Sequence, residues 1–168
     1  MIIIIDNFFD NFNLIKDSFK NIQMFKKEEH PDLNENWPGF RSKRLHEESP
    51  FLFNLFLREL FLKTNFFENK SLNIKLNLHL RLKKDNSKDW VHTDNNFDYS
   101  LLVYLSETNL KSGTVFYDEN EKITSTVNFL QNRAVIFDSK ILHKSLNCYG
   151  NDINDGRLTL NGFILVGK

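Results

Sequence analysis

The chain is 168 residues long and carries 22 Lys and Arg against 22 Asp and Glu, a length that fits one domain able to bury its own core. Zero net charge argues against a broad electrostatic grip on nucleic acid or on an anionic membrane. The longest purely apolar run, Met1 to Ile5, is far short of a spanning helix, and the single cysteine, Cys148, forms no internal disulfide, which together point to a reducing, cytoplasmic setting. Phe occurs 17 times and Ala once, so the core has to be filled by Phe, Leu and Ile, each of which buries a large area.

Ile2 to Ile5 read as a strand stopped by Asp6-Asn7. Residues 10–25 place Phe12, Ile15, Phe19 and Ile22 at helical spacing, which predicts a helix with Asp10 or Asn11 as its cap. Residues 26–49 are polar, contain Pro31 and Pro38-Gly39, and read mostly as loop. Within them the basic run Arg41-Ser42-Lys43-Arg44 is expected to be solvated, with contact to an acidic substrate as the other reading. Ser49 then offers an N-cap and Pro50 a first helical turn. The helix that follows, 51–62, is apolar on nearly every turn, and is expected to be covered on most sides.

Near residue 71 the pattern changes from period 3.6 to period 2. Leu72, Ile74, Leu76, Leu78, Leu80 and Leu82 alternate with Asn73, Lys75, Asn77, His79 and Arg81, the mark of a long strand with one apolar and one polar face. Shorter strands are predicted at 99–106, 114–118, 123–129, 134–138, 143–149 and 158–166, separated by turn residues at Ser112-Gly113, 118–121 and 150–156. A helical first part followed by seven or eight strands implies an α+β, mainly β fold. We expect a double-stranded β-helix of jelly-roll or cupin-like type, backed by N-terminal helices. It would form one domain, 1–168, with a support region over 1–70 and the core over 71–168.

Of the five histidines, His92 has a carboxylate two residues away within the region of predicted strands, in Trp90-Val91-His92-Thr93-Asp94. On extended backbone, residues i and i+2 share a face, so His92 and Asp94 could present an imidazole and a carboxylate to one point. His143, 49 residues beyond Asp94 and at the start of a predicted strand, could supply a third ligand. Two His and one carboxylate with the remaining positions open form the facial triad of non-haem Fe(II) oxygenases. Arg157 opens the last apolar strand, where a fixed cation suits a bidentate grip on a carboxylate. A surface pair between Arg157 and Asp155 or Asp152 is its competing assignment.

Several runs in order carry a family resemblance: His92-Thr93-Asp94, the segment 100–106 ending Tyr104-Leu105-Ser106, Ser112-Gly113-Thr114-Val115-Phe116, Arg133-Ala134-Val135-Ile136-Phe137, His143, and Arg157-Leu158-Thr159-Leu160. Over residues 72–166 the chain resembles the Fe(II)/2-oxoglutarate-dependent oxygenases of the prolyl-4-hydroxylase-like branch. The resemblance implies that His92, Asp94 and His143 hold Fe(II), and that Arg157 binds the distal carboxylate of 2-oxoglutarate with help from Tyr104. Asn161 falls where relatives often place a hydroxyl residue near the cosubstrate. The interval from His143 to Arg157 is longer than the family pattern, which the polar stretch 150–156 accounts for. The activity implied is O2-dependent hydroxylation of an aliphatic C–H, on a peptide or protein side chain or on a small molecule, with release of succinate and CO2. Mn(II), Co(II) or Ni(II) could take the same ligands. His79 and Arg81, on the polar face of the long strand, and Trp90 are candidate pocket residues, against a solvated face and a core tryptophan. A cupin-like metalloenzyme that does not use 2-oxoglutarate and a non-catalytic metal-binding module are the competing functions. Nothing in the charge balance points to nucleic acid, and nothing in the sequence to a membrane.

Overall fold

The computed structural model describes residues 1–31 and 37–167; the middle of the segment read as loop, 32–36, lies outside the described residues. In chain order the elements are β1 (Ile2–Ile5), α1 (Phe12–Lys20), β2 (Phe25–Lys26), β3 (Phe40–Arg41), α2 (Leu45–Glu48), α3 (Pro50–Lys63), β4 (Leu72–Arg81), β5 (Tyr99–Tyr104), β6 (Asn109–Tyr117), β7 (Ile123–Phe129), β8 (Ala134–Asp138), β9 (Leu142–Leu146) and β10 (Arg157–Val166). Short 3-10 turns add Lys27–Glu29, Asn65–Phe67 and Lys83–Lys88.

The strands form two antiparallel sheets. The larger has the order β1-β8-β5-β10-β4-β3-β2, and the smaller β7-β6-β9. The larger sheet packs on both faces, and the alternation within its strands sorts the side chains. Outward, Leu76, Leu78 and Leu80 of β4, Leu101 and Val103 of β5, and Leu158, Leu160 and Ile164 of β10 meet Phe12 and Phe19 of α1 and Leu52, Phe56 and Leu60 of α3. Inward, Tyr104, Val135 and Phe137 meet Phe116, Val127 and Phe129 of the smaller sheet. The leucine face of β4 therefore packs on the helical layer, as its alternation predicts. The polar face turns toward the space between the sheets, where Asn77, His79 and Arg81 are buried.

Four expectations are corrected. Helix α1 stops at Lys20 rather than running to Phe25, because Phe25 and Lys26 leave it to pair with Arg41 and Phe40. Asn11 precedes the helix in a left-handed conformation and its side chain caps nothing. The segment read as loop contains β3 and α2; β3 is two residues long and exists through its pairing of Phe40 with Leu80 and Arg41 with His79. In α3, Ser49 caps Leu52 N–H and Pro50 occupies the first turn as predicted, but the helix is covered on one side only. Phe51 and Leu62 are 66% and 67% exposed, since an almost uniformly apolar segment carries no periodicity to say which face meets the sheet. No helix among the described residues is long and apolar enough to cross a membrane.

Candidate metal centre and its cavity

Local pairing brings the three candidate ligands together. His92 and His143 form an isolated antiparallel bridge, His92 N–H donating to His143 O at 3.0 Å and His143 N–H to His92 O at 2.9 Å. The chain then turns, with Asp94 N–H on Ser139 O at 2.8 Å and Phe97 N–H on Asp94 O at 3.0 Å, which aims Asp94 back at the pair. The ligand atoms of His92, Asp94 and His143 lie within 4.8 Å of one another. Donors around one divalent ion sit about 3 Å apart at ligand distances of about 2.1 Å, so a small contraction of these side chains would close the set.

The histidines are oriented by the same device. His92 Nδ1 is 3.0 Å from Trp90 O, and His143 Nδ1 is 2.9 Å from Ile141 O. Each Nδ1 in the protonated tautomer donates to the carbonyl two residues earlier, which leaves Nε2 with its lone pair toward the shared point. Burial, opposed by the Asp94 carboxylate, pushes the His143 imidazole below its ordinary pKa, so it stands neutral and able to ligate. Asp94 Oδ2 accepts from Ser100 Oγ at 2.5 Å, which fixes the plane of the carboxylate. Two imidazoles and a carboxylate facing one shared point form a donor set that fits Fe(II).

A cavity of about 400 Å³ opens beside this cluster and reaches Arg157. Arg157 begins β10 opposite Arg81 of β4, yet the two cations differ in their partners. Arg81 is ion-paired with Asp89 at 3.3 Å, both nearly buried. Arg157 is 2% exposed, donates to Gly113 O at 3.1 Å, and lies 5.7 and 5.4 Å from the rings of Tyr104 and Phe129. Its Nε has no partner, and among the described residues no carboxylate pairs with it. The surface pair with Asp155 does not form, because that carboxylate accepts from Asn151 and Asp152 N–H instead. A buried guanidinium without a counter-charge is costly and marks a place where an anion would be favoured.

Tyr104 stands one layer behind the cavity. It is fully buried, with its hydroxyl 2.8 Å from Thr114 Oγ1, and burial pushes its phenol pKa up. Thr114, which the sequence reading did not single out as a site residue, lines the cavity in its place. Asn161 lines the cavity, accepts from Thr159 Oγ1 at 2.7 Å, and places Nδ2 3.5 Å from His79 Nδ1. His79 donates through Nε2 to Pro38 O at 2.7 Å, and burial together with the Arg41 and Arg81 cations holds its pKa well below the ordinary value. The solvated-face reading of His79 and Arg81 therefore fails, since both line the cavity at 6% and 3% exposure. Trp90 is 40% exposed at the mouth, 5.7 Å from the His92 ring, so it is not a core residue.

Ser100, Trp37 and Arg41 also reach the cavity. Ser100 shares strand parity with Leu102 and Tyr104, which could have marked it as inward-facing. Arg41 belongs to the run expected to be solvated. Its guanidinium instead stacks 5.0 Å over Trp37, and neighbouring Ser42 is buried with its hydroxyl accepting from Leu78 N–H.

No family model matches the chain, and no curated protein does. Solved structures do. A prolyl hydroxylase from Trichoplax adhaerens, in complex with a peptide fragment of the oxygen degradation domain of hypoxia inducible factor, superposes with a TM-score of 0.67 at 12% identity, over 98% of this chain and 83% of that one. The fold is that of the 2-oxoglutarate/Fe(II) oxygenases. A 2OG-Fe(II) oxygenase-family oxidoreductase from Burkholderia pseudomallei gives 0.66 at 12% identity, covering 98% and 84% of the two chains. HygX from Streptomyces hygroscopicus, solved with nickel and 2-oxoglutarate bound, gives 0.67 at 14%, covering 96% and 82%. Within this oxygenase fold the two sheets are the double-stranded β-helix, and the candidate metal cluster lies between them at one end.

Proposed function

We propose that the chain is an Fe(II)- and 2-oxoglutarate-dependent oxygenase that hydroxylates an aliphatic C–H bond. The observation that carries this is the sharing of one cavity by the His92–Asp94–His143 cluster and the buried Arg157, which pairs with no carboxylate among the described residues. The cluster alone would serve a cupin-like metalloenzyme equally well; a cation without a counter-charge at the far end of the same cavity calls for a dianionic cosubstrate. Bound there, Fe(II) and 2-oxoglutarate supply the oxidising chemistry, with O2 consumed and succinate and CO2 released.

The chain's own residues do the rest. His92, Asp94 and His143 would hold the metal on one side and leave the cavity side open. Arg157 would bind the distal carboxylate through charge-assisted hydrogen bonds, with Thr114 at the cavity wall and Tyr104 behind it. Phe137, whose ring lies edge-on to His143 at 4.7 Å, keeps the inner side of the cluster apolar and limits water there. Asn161 and His79 would orient whatever lies between Arg157 and the cavity mouth. The substrate is a peptide or protein side chain or a small molecule, entering past Trp90. The Trichoplax neighbour binds a peptide, which favours the first.

Calorimetric titration of 2-oxoglutarate into the Mn(II)-loaded protein tests this reading. Binding that needs the metal and is lost in Asp94→Ala supports it. Metal binding without 2-oxoglutarate binding would support the cupin-like alternative or the non-catalytic metal-binding module, and no metal binding would contradict all three.

A further inference from the structure

His79 of β4 and Thr159 of β10 face each other in register, and Asn161 is the next inward residue along β10. Their side chains form one run of hydrogen bonds. His79 Nε2 meets Pro38 O at 2.7 Å, and a carbonyl only accepts, so the ring proton sits on Nε2. The turn that carries this carbonyl needs Gly39, whose φ is +88° and where a Cβ would meet Leu80 O at 2.3 Å. Burial and the cations of Arg41, Arg81 and Arg157 keep the imidazole neutral, which leaves Nδ1 as a bare acceptor.

Asn161 lies between Thr159 and that acceptor. Its Oδ1 takes the Thr159 hydroxyl at 2.7 Å, and its Nδ2 is 3.5 Å from His79 Nδ1. A hydroxyl can donate or accept, so Thr159 alone would allow either orientation of the amide. The contact with His79 is long for a hydrogen bond, yet it decides between them. Turned over, Asn161 would set Oδ1 against the Nδ1 lone pair, two acceptors with no proton between them. In the orientation that His79 selects, one N–H of Nδ2 has no partner among the described residues, and Asn161 lines the cavity.

Strand register indicates what that N–H meets. Ser100, which holds Asp94, pairs with Phe163; Leu102 pairs with Asn161; and Tyr104, beside Arg157, pairs with Thr159. Asn161 therefore stands between the level of the metal cluster and that of Arg157. We infer that His79 is a positioning residue, which turns the Asn161 amide so that an N–H rather than its oxygen faces an oxygen of 2-oxoglutarate. The identity of the ligand rests on the oxygenase reading; the hydrogen-bond run does not. An amide oxygen at that place would oppose a dianion, whereas an N–H adds a charge-assisted bond to the grip of Arg157. His79 itself moves no proton for the ligand, because both ring nitrogens are engaged.

Two measurements test this. Long-range 15N–1H spectra of the full chain at about pH 7.5 should show His79 as the neutral ring protonated on Nε2, its signals identified by their loss in His79→Gln. An imidazolium, or a ring protonated on Nδ1, would overturn the inference without any variant having to fold. Calorimetry then follows 2-oxoglutarate binding to the Mn(II)-loaded protein. His79→Leu and Asn161→Ala should each weaken it about tenfold, with Mn(II) affinity unchanged. His79→Gln, which again offers one donor and one acceptor, should restore most of it. The double variant His79→Leu/Asn161→Ala should lose no more than Asn161→Ala alone, since His79 acts through Asn161. Losses that multiply, no loss in His79→Leu, no rescue by Gln, or a parallel loss of Mn(II) affinity would overturn the inference and leave the oxygenase standing. Absence of 2-oxoglutarate binding in the wild type would remove both.

Discussion

Ser100 Oγ donates to Asp94 Oδ2 at 2.5 Å, and this bond ties the one carboxylate of the candidate metal cluster to strand β5 of the larger sheet. Ser100 is 2% exposed and pairs in register with Phe163 of β10 and Phe137 of β8. The hydroxyl is thus held by the sheet, and the carboxylate by the hydroxyl. Ser100→Ala changes little volume and leaves Asp94 free to rotate. Loss of such an outer partner costs about 10- to 100-fold in metal affinity. Calorimetry with Mn(II) should show that loss with little change in melting temperature, and Ser100→Thr should restore most of the affinity. Unchanged affinity in the alanine variant would remove Ser100 from the account.

Arg157 gives a prediction with an unusual sign. Its buried charge lacks a counter-ion among the described residues, so removing it does not break an ion pair. Arg157→Met keeps much of the volume, and should leave the melting temperature of the ligand-free protein equal or higher. The wild type should be stabilised by metal with 2-oxoglutarate, by about 2.7 kcal/mol at a hundredfold excess over Kd, and the variant by metal alone. A variant still stabilised by 2-oxoglutarate would contradict the assignment of Arg157.

The pH dependence follows from His79. Its pKa in the folded chain lies well below 6.5, through burial first and the Arg41 and Arg81 cations second. The unfolded chain takes up this proton near pH 6.5 while the folded chain does not, so stability is full above that pH and falls below it. The loss is about 1.4 kcal/mol per pH unit and continues down to the folded pKa. Urea unfolding of wild type and His79→Gln between pH 7.5 and 5 should show a shallower fall in the variant. Parallel curves would mean that His79 titrates normally.

Gly113 links the smaller sheet to Arg157. Its φ is +156°, and a Cβ there would meet Val127 O at 2.1 Å, so an alanine has to push β6 from β7. Its carbonyl also receives Arg157. Gly113→Ala should lose about 1–3 kcal/mol in urea unfolding, and should weaken 2-oxoglutarate binding more than metal binding. A variant as stable as wild type would show that the two strands can part at no cost.

How far the sequence revealed this arrangement depended on the range of the physics involved. The alternation from Leu72 to Leu82 determined both the strand β4 and which face meets the helices, because period 2 leaves no other way to bury five leucines and one isoleucine. His92 and Asp94 were legible for the same reason, two residues apart on extended chain. His143 was placed only by its position in order along the chain and the family resemblance, and the bridge to His92 that joins them is a tertiary contact with no local signal. Arg41, Trp37 and β3 were missed because a two-residue strand has no periodicity. Arg41 sits in a charged run that carries no local signal of burial, yet its pairing opposite His79 carries it into the cavity. Tyr104 shows the limit of inward parity, which tells which face a residue takes but not how deep it sits: Thr114 stands between its hydroxyl and the cavity.

The most direct test of the central claim is an anaerobic titration of Fe(II) and then 2-oxoglutarate, following visible absorption. The account predicts a charge-transfer band that needs both additions, is absent in Asp94→Ala, and requires more 2-oxoglutarate in Arg157→Met. Iron binding with no band at any 2-oxoglutarate concentration would contradict it.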